Sequence, residues 1–286
     1  MKKLIVTLMV FAMAGSVLAA SYHWKNEPTG GAGYGNGDGL YETAGNWSIN
    51  ASSEIPATVL PGSGDTIIFG GGTAWDDESG ASTLSSTQTV LKIALYHGQL
   101  DIPVGAQLNT TLAVTSAHDI GRGLTGIAGN TTINIAGEIK GTGIMRLGTT
   151  GGFGTINVTG NGLLDTSRID MLETGGGLIA IEDNASMTLS YNNDVVIQID
   201  GQTDADIILR DNATIVMRGD RLTAMAALLN DEILTDDTGK TLQVAWDDPD
   251  LDLVGYTTIS IIPEPATIGL FGMAGLGTLM LRRLRK

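Results

Sequence analysis

The chain has 286 residues, contains no cysteine and carries a formal net charge of −15 at pH 7. Without cysteine no disulfide can stabilise the fold, so the core must come from side-chain packing alone. The acidic excess excludes nucleic acid as an expected partner, because its phosphate groups would be repelled.

The N-terminus has the three-part pattern of a secretory signal peptide. Two lysines precede an apolar stretch over residues 4–18, and two alanines follow it. A positive region, an apolar region and a small-residue site in this order form the pattern that signal peptidase reads. We therefore predict an exported protein with a signal peptide over residues 1–20, cleaved after Ala19 or Ala20. An uncleaved signal anchor is the alternative.

Residues 21–80 are predicted to form an N-terminal β cap region. They contain three of the four tryptophans, and a Gly-Asp turn precedes an apolar strand over residues 66–69. A glycine-rich segment at residues 33–40 is similar to one repeat of the calcium-binding β-rolls, with Asp38 as the candidate ligand. The segment occurs once, whereas a roll needs adjacent copies, so a flexible loop is the favoured interpretation.

Repeated apolar-polar-apolar triplets in residues 81–220 indicate the architecture of the body. The strongest copies recur at an interval of 23 residues, and one more follows after 28: Ile133-Asn134-Ile135, Ile156-Asn157-Val158, Ile179-Ala180-Ile181 and Ile207-Ile208-Leu209. Two weaker copies lie upstream at intervals of 21: Leu91-Lys92-Ile93 and Leu112-Ala113-Val114. Six rungs are therefore predicted, each with its aliphatic side chains facing inward.

A period in the low twenties is typical of a β-solenoid coil, in which three short strands wrap once and stack on the next coil. Glycine clusters such as residues 141–143 and 160–162 supply the turns between the strands. We predict an all-β fold whose body, residues 81–220, is a β-solenoid, with a right-handed parallel β-helix as the expected form. A β-sandwich is the alternative, since it also has short strands at intervals of about 8–12 residues.

Candidate catalytic groups in the body do not form a recognisable constellation. The three histidines are far apart in the sequence, and each is interpreted as a surface or turn residue: His23, His97 and His118. No glycine-flanked serine completes a triad with His118 and Asp119. Asp165 and Asp170 could serve as a carboxylate pair for glycoside hydrolysis, but the abundance of acids makes this choice arbitrary. We therefore expect a protein that is not an enzyme.

Four arginines in the body allow two interpretations. They follow one another at intervals of 24, 22 and 42 residues: Arg122, Arg146, Arg168 and Arg210. Either they form a partial basic ladder, as a lyase acting on a polyanion would need, or each pairs with a neighbouring acid. The second interpretation is simpler and is favoured.

Residues 221–262 are predicted to form a C-terminal cap region with a short helix and an acidic turn. Apolar residues three or four apart indicate a helix that would cover the last coil: Leu222, Met225, Leu229 and Ile233. Asp220 is its candidate N-cap, and an exposed excursion between coils is the alternative. The turn holds three candidate calcium ligands, Asp247, Asp248 and Asp250. A solvated turn without metal is the favoured interpretation.

The chain ends in a three-part segment, residues 263–286. Pro263, Glu264 and Pro265 precede sixteen uncharged residues, and a basic cluster follows: Arg282, Arg283, Arg285 and Lys286. Sixteen helical residues span about 24 Å, slightly less than a hydrocarbon core of about 30 Å. The positive-inside rule keeps the basic end in the cytoplasm and leaves the body outside the inner membrane.

This segment resembles the PEP-CTERM sorting signal of Gram-negative bacteria, in which a Pro-Glu-Pro motif, a hydrophobic helix and an Arg-rich cluster are recognised by an exosortase. The resemblance implies transient anchoring in the inner membrane, processing by exosortase, and delivery to the cell envelope or extracellular matrix of exopolysaccharide-producing bacteria. A single-span anchor that is never cut is the alternative for the tail. The body loosely resembles autotransporter-type β-helix proteins of cell surfaces.

These features together predict an exported protein with a structural or adhesive role and exopolysaccharide as a candidate partner. A carbohydrate-binding module is the second hypothesis, with exposed Trp75, Tyr96 or Tyr191 stacking on sugar rings. A polysaccharide-degrading enzyme is the third, because many parallel β-helices have that activity. Likeness in fold does not carry function, so the third hypothesis rests on fold class alone.

Overall fold

The computed structural model describes residues 19–24, 39–49, 56–69, 81–123, 129–172, 175–191, 196–200, 204–230, 234–236, 241–247 and 254–262. The strands within these ranges are β1 (Ser21–Trp24), β2 (Trp47–Ser48), β3 (Thr66–Phe69), β4 (Ala81–Thr83), β5 (Thr87–Val90), β6 (Lys92–Leu95), β7 (Gly98–Ile102), β8 (Gln107–Thr110), β9 (Ala117–Ile120), β10 (Asn130–Ile135), β11 (Glu138–Gly141), β12 (Ile144–Leu147), β13 (Phe153–Val158), β14 (Leu163–Thr166), β15 (Arg168–Leu172), β16 (Gly176–Ile181), β17 (Ser186–Leu189), β18 (Ile197–Asp200), β19 (Ala205–Leu209), β20 (Thr214–Arg218), β21 (Leu234–Thr235), β22 (Leu242–Trp246) and β23 (Tyr256–Ile261). The helices are α1 (Leu222–Asn230) and a short 3-10 helix (Ala44–Asn46).

The strands stack into three sheets, one on each side of the coil. In spatial order, sheet A contains β2, β1, β3, β6, β9, β12, β15 and β18; sheet B contains β4, β7, β10, β13, β16, β19 and β21; and sheet C contains β5, β8, β11, β14, β17, β20, β23 and β22. From β4 to β20 the chain visits sheets B, C and A in turn, and neighbouring coils pair in parallel. The body is therefore a parallel β-solenoid of about five turns. The parallel pairing confirms the predicted fold class and excludes the β-sandwich, whose sheets are antiparallel.

The register of sheet B confirms the strongest part of the predicted repeat. Ile133 of β10 lies beside Ile156 of β13, Ile156 lies beside Ile179 of β16, and Ile179 lies beside Ile207 of β19. All four side chains are fully buried and form one aliphatic column along the stack. Burying a side chain of this kind stabilises the fold by about 1.5–3 kcal/mol, so the column holds successive coils in this register.

The prediction for the two upstream triplets is wrong. The strand that pairs with β10 on its other side is β7, where Leu100 lies beside Ile133. Residues 92–95 form β6 in sheet A instead, and residues 112–114 lie in the connection between β8 and β9. Each coil contains three strands of similar pattern, so an apolar-polar-apolar triplet does not identify the sheet to which it belongs.

Aromatic residues gather where the chain enters the stack. β1 pairs with β3 in parallel, and β2 pairs with β1 in antiparallel. The ring centroid of Trp47 lies 5.0 Å from those of Trp24 and Tyr41 and 5.6 Å from that of Phe69, and all four side chains are buried. These edge-to-face contacts join the aliphatic core of the coils, so the N-terminal end of the core is aromatic.

The predicted helix follows the last coil strand and is confirmed as α1. Its N-terminus is held by Asp220, whose Oδ1 accepts the backbone N–H of Leu222 at 3.2 Å. Met225 is buried, and α1 packs against β21 and β22. β22 and β23 then form an antiparallel pair on β20. Ile233 lies outside the described residues.

No helix within the described ranges combines the length and the apolar character needed to cross a membrane. The helix predicted for the tail, residues 266–281, lies outside those ranges.

Candidate functional site

A row of charged residues runs along the outer side of sheet A. Successive side chains of a strand point to opposite faces, and on this sheet the inward positions are in register: Ile93, His118, Met145 and Ile169. The next position on each strand faces outward and is also in register: Ala94, Asp119, Arg146 and Asp170. The structure therefore places an acid, a base and an acid on consecutive coils. We call these residues, with Lys92, Arg122 and Arg168 that contact them, the charged face.

Asp119 is held by two basic side chains. The Nζ atom of Lys92, on the preceding coil, lies 2.6 Å from its Oδ2, and Nη1 of Arg122 lies 3.8 Å from the same atom. The Asp119 side chain is only 7% exposed although it points outward, because the basic side chains cover it. The pair of Lys92 and Asp119 therefore links two coils of the solenoid.

Asp170 repeats this arrangement two coils later and is fully buried. Nε of Arg168 lies 2.5 Å from its Oδ1, and Nη2 of the same guanidinium donates to Oδ2 at 2.7 Å. The Nη2 contact is a charge-assisted hydrogen bond, whereas the Nε contact is an ion-pair contact without hydrogen-bond geometry. Nη2 of Arg146, on the preceding coil, lies 3.9 Å from Oδ2. The Asp170 carboxylate thus faces two guanidinium groups.

Two tyrosines are associated with the arginines of the charged face. The guanidinium carbon of Arg122 lies 5.8 Å from the ring centroid of Tyr96, and that of Arg168 lies 5.8 Å from the ring centroid of Tyr191. Both distances are in the range of cation–π attraction. Both tyrosines are half-buried, so the expectation that they are exposed is wrong, and one face of each ring is opposite an arginine. Trp75, the third predicted stacking residue, lies outside the described residues.

The arginine positions confirm the simpler of the two sequence interpretations. Arg122 pairs with Asp119, Arg146 and Arg168 lie against Asp170, and Arg210, which directly follows β19, pairs with Glu182. A continuous basic ladder is not formed, because Arg210 belongs to a different side of the solenoid from the other three.

The two aspartates considered as a hydrolytic pair lie in different sheets. Asp165 is on β14 of sheet C, where burial raises its pKa and the charge of Lys140 on the neighbouring strand opposes that change. Asp170 is on β15 of sheet A and forms an ion pair with Arg168. The corner at residues 166–167 separates the two strands, so the carboxylates do not face one substrate position.

His118 is a core residue, and its interpretation as a surface or turn residue is wrong. It points inward between Ile93 and Met145 and is fully buried. Its Nδ1 accepts the backbone N–H of Ile93 at 3.1 Å. Burial and, to a smaller extent, the charge of Lys92 lower its pKa from 6.5 to about 4, and Asp119 acts in the opposite direction. The imidazole is therefore neutral at pH 7 and does not form a catalytic pair with Asp119, which points to the other face.

His118 is expected to make the protein less stable as the pH falls from 6.5 to 4. Because the pKa of its side chain is lower in the folded than in the unfolded state, the unfolded chain binds the proton first, and stability present above pH 6.5 is lost toward pH 4. The two pKa values differ by an amount that corresponds to about 3 kcal/mol. His118→Asn keeps an acceptor near Ile93 and cannot be protonated, so urea denaturation should show a correspondingly weaker pH dependence. An equal dependence in both proteins would contradict the buried neutral imidazole.

The described residues contain no group of three metal-ligating side chains. Asp247 is exposed and closes the turn between β22 and β23: its Oδ1 accepts the N–H of Gly255 at 2.6 Å, and its own N–H donates to the carbonyl oxygen of Tyr256 at 3.1 Å. The other candidate calcium ligands, Asp38, Asp248 and Asp250, lie outside the described residues.

The C-terminal tail gives the clearest relation to known proteins. Residues 262–286 match the family model described as the PEP-CTERM protein-sorting motif. The match contains the predicted sorting triplet Pro263, Glu264 and Pro265 and the basic cluster Arg282, Arg283, Arg285 and Lys286, all of which lie outside the described residues. No curated protein and no solved structure matches the chain.

The fold of the body and the motif in the tail together define the class of protein. The chain carries a β-solenoid body followed by a PEP-CTERM sorting motif, and this motif implies export and processing by an exosortase. Proteins with this motif are sorted to the cell surface.

Proposed function

We propose that the protein is a non-catalytic structural or adhesive component of the cell envelope or extracellular polysaccharide matrix. The tail anchors it transiently in the inner membrane until exosortase processes it. The observation that supports the non-catalytic role is the state of the charged face. Asp119 and Asp170 are covered by basic side chains, so neither has a carboxylate free to act as a nucleophile or general base.

The surface chemistry supports a neutral glycan as the matrix partner. The segment from residue 21 to residue 262 has ten basic and thirty acidic residues, a net charge of about −20, which would repel an acidic polysaccharide. Sheet C instead presents a row of hydrogen-bonding side chains in register on successive strands: Thr89, Asn109, Lys140, Asp165 and Thr188. Adjacent strands lie about 4.8 Å apart, so these groups form a regular hydrogen-bonding row that suits the hydroxyls of an extended glycan.

Replacement of Pro263-Glu264-Pro265 by three alanines tests the sorting part of the proposal. We expect the unaltered protein to lose its C-terminal segment, and the variant to retain the segment and stay in the membrane fraction. Mass measurement of the protein from fractionated cells distinguishes the two outcomes. The control variant Asp236→Asn carries its substitution outside the tail and should be processed normally. Identical C-termini in the variant and the unaltered protein would refute processing at this motif.

Glycan-array binding and product release test the role of the body. The structural role predicts that purified protein releases no reducing sugar or unsaturated product from any polysaccharide. Binding to a defined soluble glycan without release would favour the carbohydrate-binding module, with Tyr96 and Tyr191 as residues to replace. Product release would overturn the proposal in favour of an enzyme.

A further inference from the structure

The backbone of Ala20 is bound at both of its polar groups. Its N–H donates to Oδ1 of Asp65 at 3.0 Å, and its carbonyl oxygen accepts the N–H of Thr66 at 2.9 Å. β1 begins at the next residue, where Ser21 pairs with Thr66 of β3. Ala20 is therefore the residue at which the chain becomes attached to the solenoid, whereas Ala19 before it is exposed.

Asp65 is held in place by its own turn. Its Oδ2 accepts the N–H of Gly62 at 2.8 Å, its N–H donates to the carbonyl oxygen of Gly62 at 2.9 Å, and its carbonyl oxygen accepts the N–H of Leu91 at 2.8 Å. Both carboxylate oxygens thus have fixed positions before any change at Ala20. The carboxylate is preorganised to receive a donor at the nitrogen of Ala20.

The negative charge of Asp65 has no basic side chain within 4.0 Å among the described residues. Asp65 is half-buried, and its charge acts on the buried side chains of Tyr22 and Tyr41. Burial raises the pKa of both tyrosines; the charge of Asp65 raises that of Tyr22 further, and the charges of Glu42 and then Asp65 raise that of Tyr41 further. A carboxylate in such a position is stabilised by a cation.

We propose that signal peptidase hydrolyses the peptide bond between Ala19 and Ala20, and that Asp65 binds the new α-ammonium group of Ala20. Water supplies the hydroxyl to the carbonyl carbon of Ala19 and a proton to the nitrogen of Ala20, which takes up a further proton at neutral pH. An α-amino group with an ordinary pKa of about 7.7–8.0 is mostly charged there. The present hydrogen bond then becomes a charge-assisted one. This inference rests on the export of the protein, which is part of the proposed function.

The contacts of Ala20 favour cleavage of the peptide bond between Ala19 and Ala20 over cleavage of the bond between Ala20 and Ser21. Cleavage after Ala20 would remove the donor to Asp65 and the acceptor for Thr66, and so would shorten the first strand's attachment. The sequence agrees, because cleavage after Ala19 puts Val17 rather than the larger Leu18 at the third position before the bond.

N-terminal sequencing of the exported protein is the first test. We expect a single N-terminus at Ala20. An N-terminus at Ser21, or a chain that still carries residues 1–19, would overturn the proposal. This readout does not depend on the C-terminal motif or on the role of the body, so its failure is distinguishable from failure of the proposed function.

A double-mutant cycle is the second test. The chain from Ala20 to Lys286 is prepared in detergent with a free or an acetylated α-amino group, each with Asp65 or with Asp65→Asn. Acetylation keeps the N–H donor and removes the charge. We expect Asp65→Asn to raise the unfolding equilibrium constant about tenfold more in the free form than in the acetylated form.

Asp183→Asn is the matched control for this cycle. Oδ2 of Asp183 also accepts a backbone N–H, that of Gly160 at 2.9 Å, but this N–H belongs to an internal residue. The control should change the unfolding constant equally in the free and acetylated forms. Equal effects of Asp65→Asn in the two forms would show that Asp65 is only a turn residue and would refute its role as the ammonium site.

Discussion

Gly148→Ala is expected to lower the free energy of unfolding by about 2–5 kcal/mol. Gly148 has a φ of +67°, a conformation that costs a residue with a side chain about 1–2 kcal/mol. A Cβ at this position would also lie only 2.0 Å from the carbonyl oxygen of Gly176 on the next coil. Backbone cannot move aside there without breaking the stack, and overpacking of this kind costs a further 1–3 kcal/mol or so.

Gly160→Ala is the matched control, because it separates the conformational effect from the steric one. Gly160 has a φ of +66°, but a Cβ there would have no atom within 4 Å. We expect a loss of only about 1 kcal/mol at this position. Urea denaturation of both variants gives the comparison. Equal losses would mean that the coils are not packed against each other at Gly148 as closely as the structure shows.

Asp170→Asn is expected to destabilise the protein by about 3 kcal/mol. The substitution hardly changes the volume of the side chain, but it removes the negative charge between Arg168 and Arg146. The Arg168 side chain is only 19% exposed, so its charge would be left without a partner in a partly buried position. Breaking a buried pair from one side costs about 3–5 kcal/mol, and partial exposure of the arginines places the expected value at the lower end.

Glu138→Gln is the control for this second prediction. Glu138 forms an ion pair with Lys140 at 2.6 Å, but both side chains are about two-fifths exposed. A pair of this kind contributes about 0–1 kcal/mol. If chemical denaturation shows no greater loss for Asp170→Asn than for Glu138→Gln, the charged face is not structural, and a functional role for Asp170 becomes the better explanation.

The sequence predicted the register of the later coils because one sheet repeats the same inward pattern at nearly constant spacing. Ile133, Ile156 and Ile179 stand on consecutive coils of sheet B, separated by 23 residues each time. The step from Leu100 to Ile133 is 33 residues, because the connections between β7 and β8, between β8 and β9, and between β9 and β10 are each longer than the corresponding connections of the next coil. Upstream of residue 133, a search for constant spacing therefore found one triplet at a strand of sheet A and one in the connection between β8 and β9.

The charged face could not be predicted from adjacency alone. His118 and Asp119 are neighbours in sequence, but a strand directs them to opposite faces, so one is in the core and the other is outside. The spacing of Arg168 and Asp170 did indicate a pair, because side chains two positions apart on a strand lie on the same face. Lys92 and Asp119 lie on neighbouring coils, so their pairing depends on which strands stack on each other. The predicted register upstream of residue 133 was wrong, and the pair could therefore not be predicted.

The attachment of β23 determines where a mechanical load applied to the C-terminal tail would enter the solenoid. Ile261, the last residue of β23, stands two positions before Pro263, and β23 is held to β20 by five residue pairs. Tension from the tail therefore enters the solenoid at its final coil rather than along its whole length. Each coil pairs only with its neighbours, so excessive force would peel the rod from this end one turn at a time.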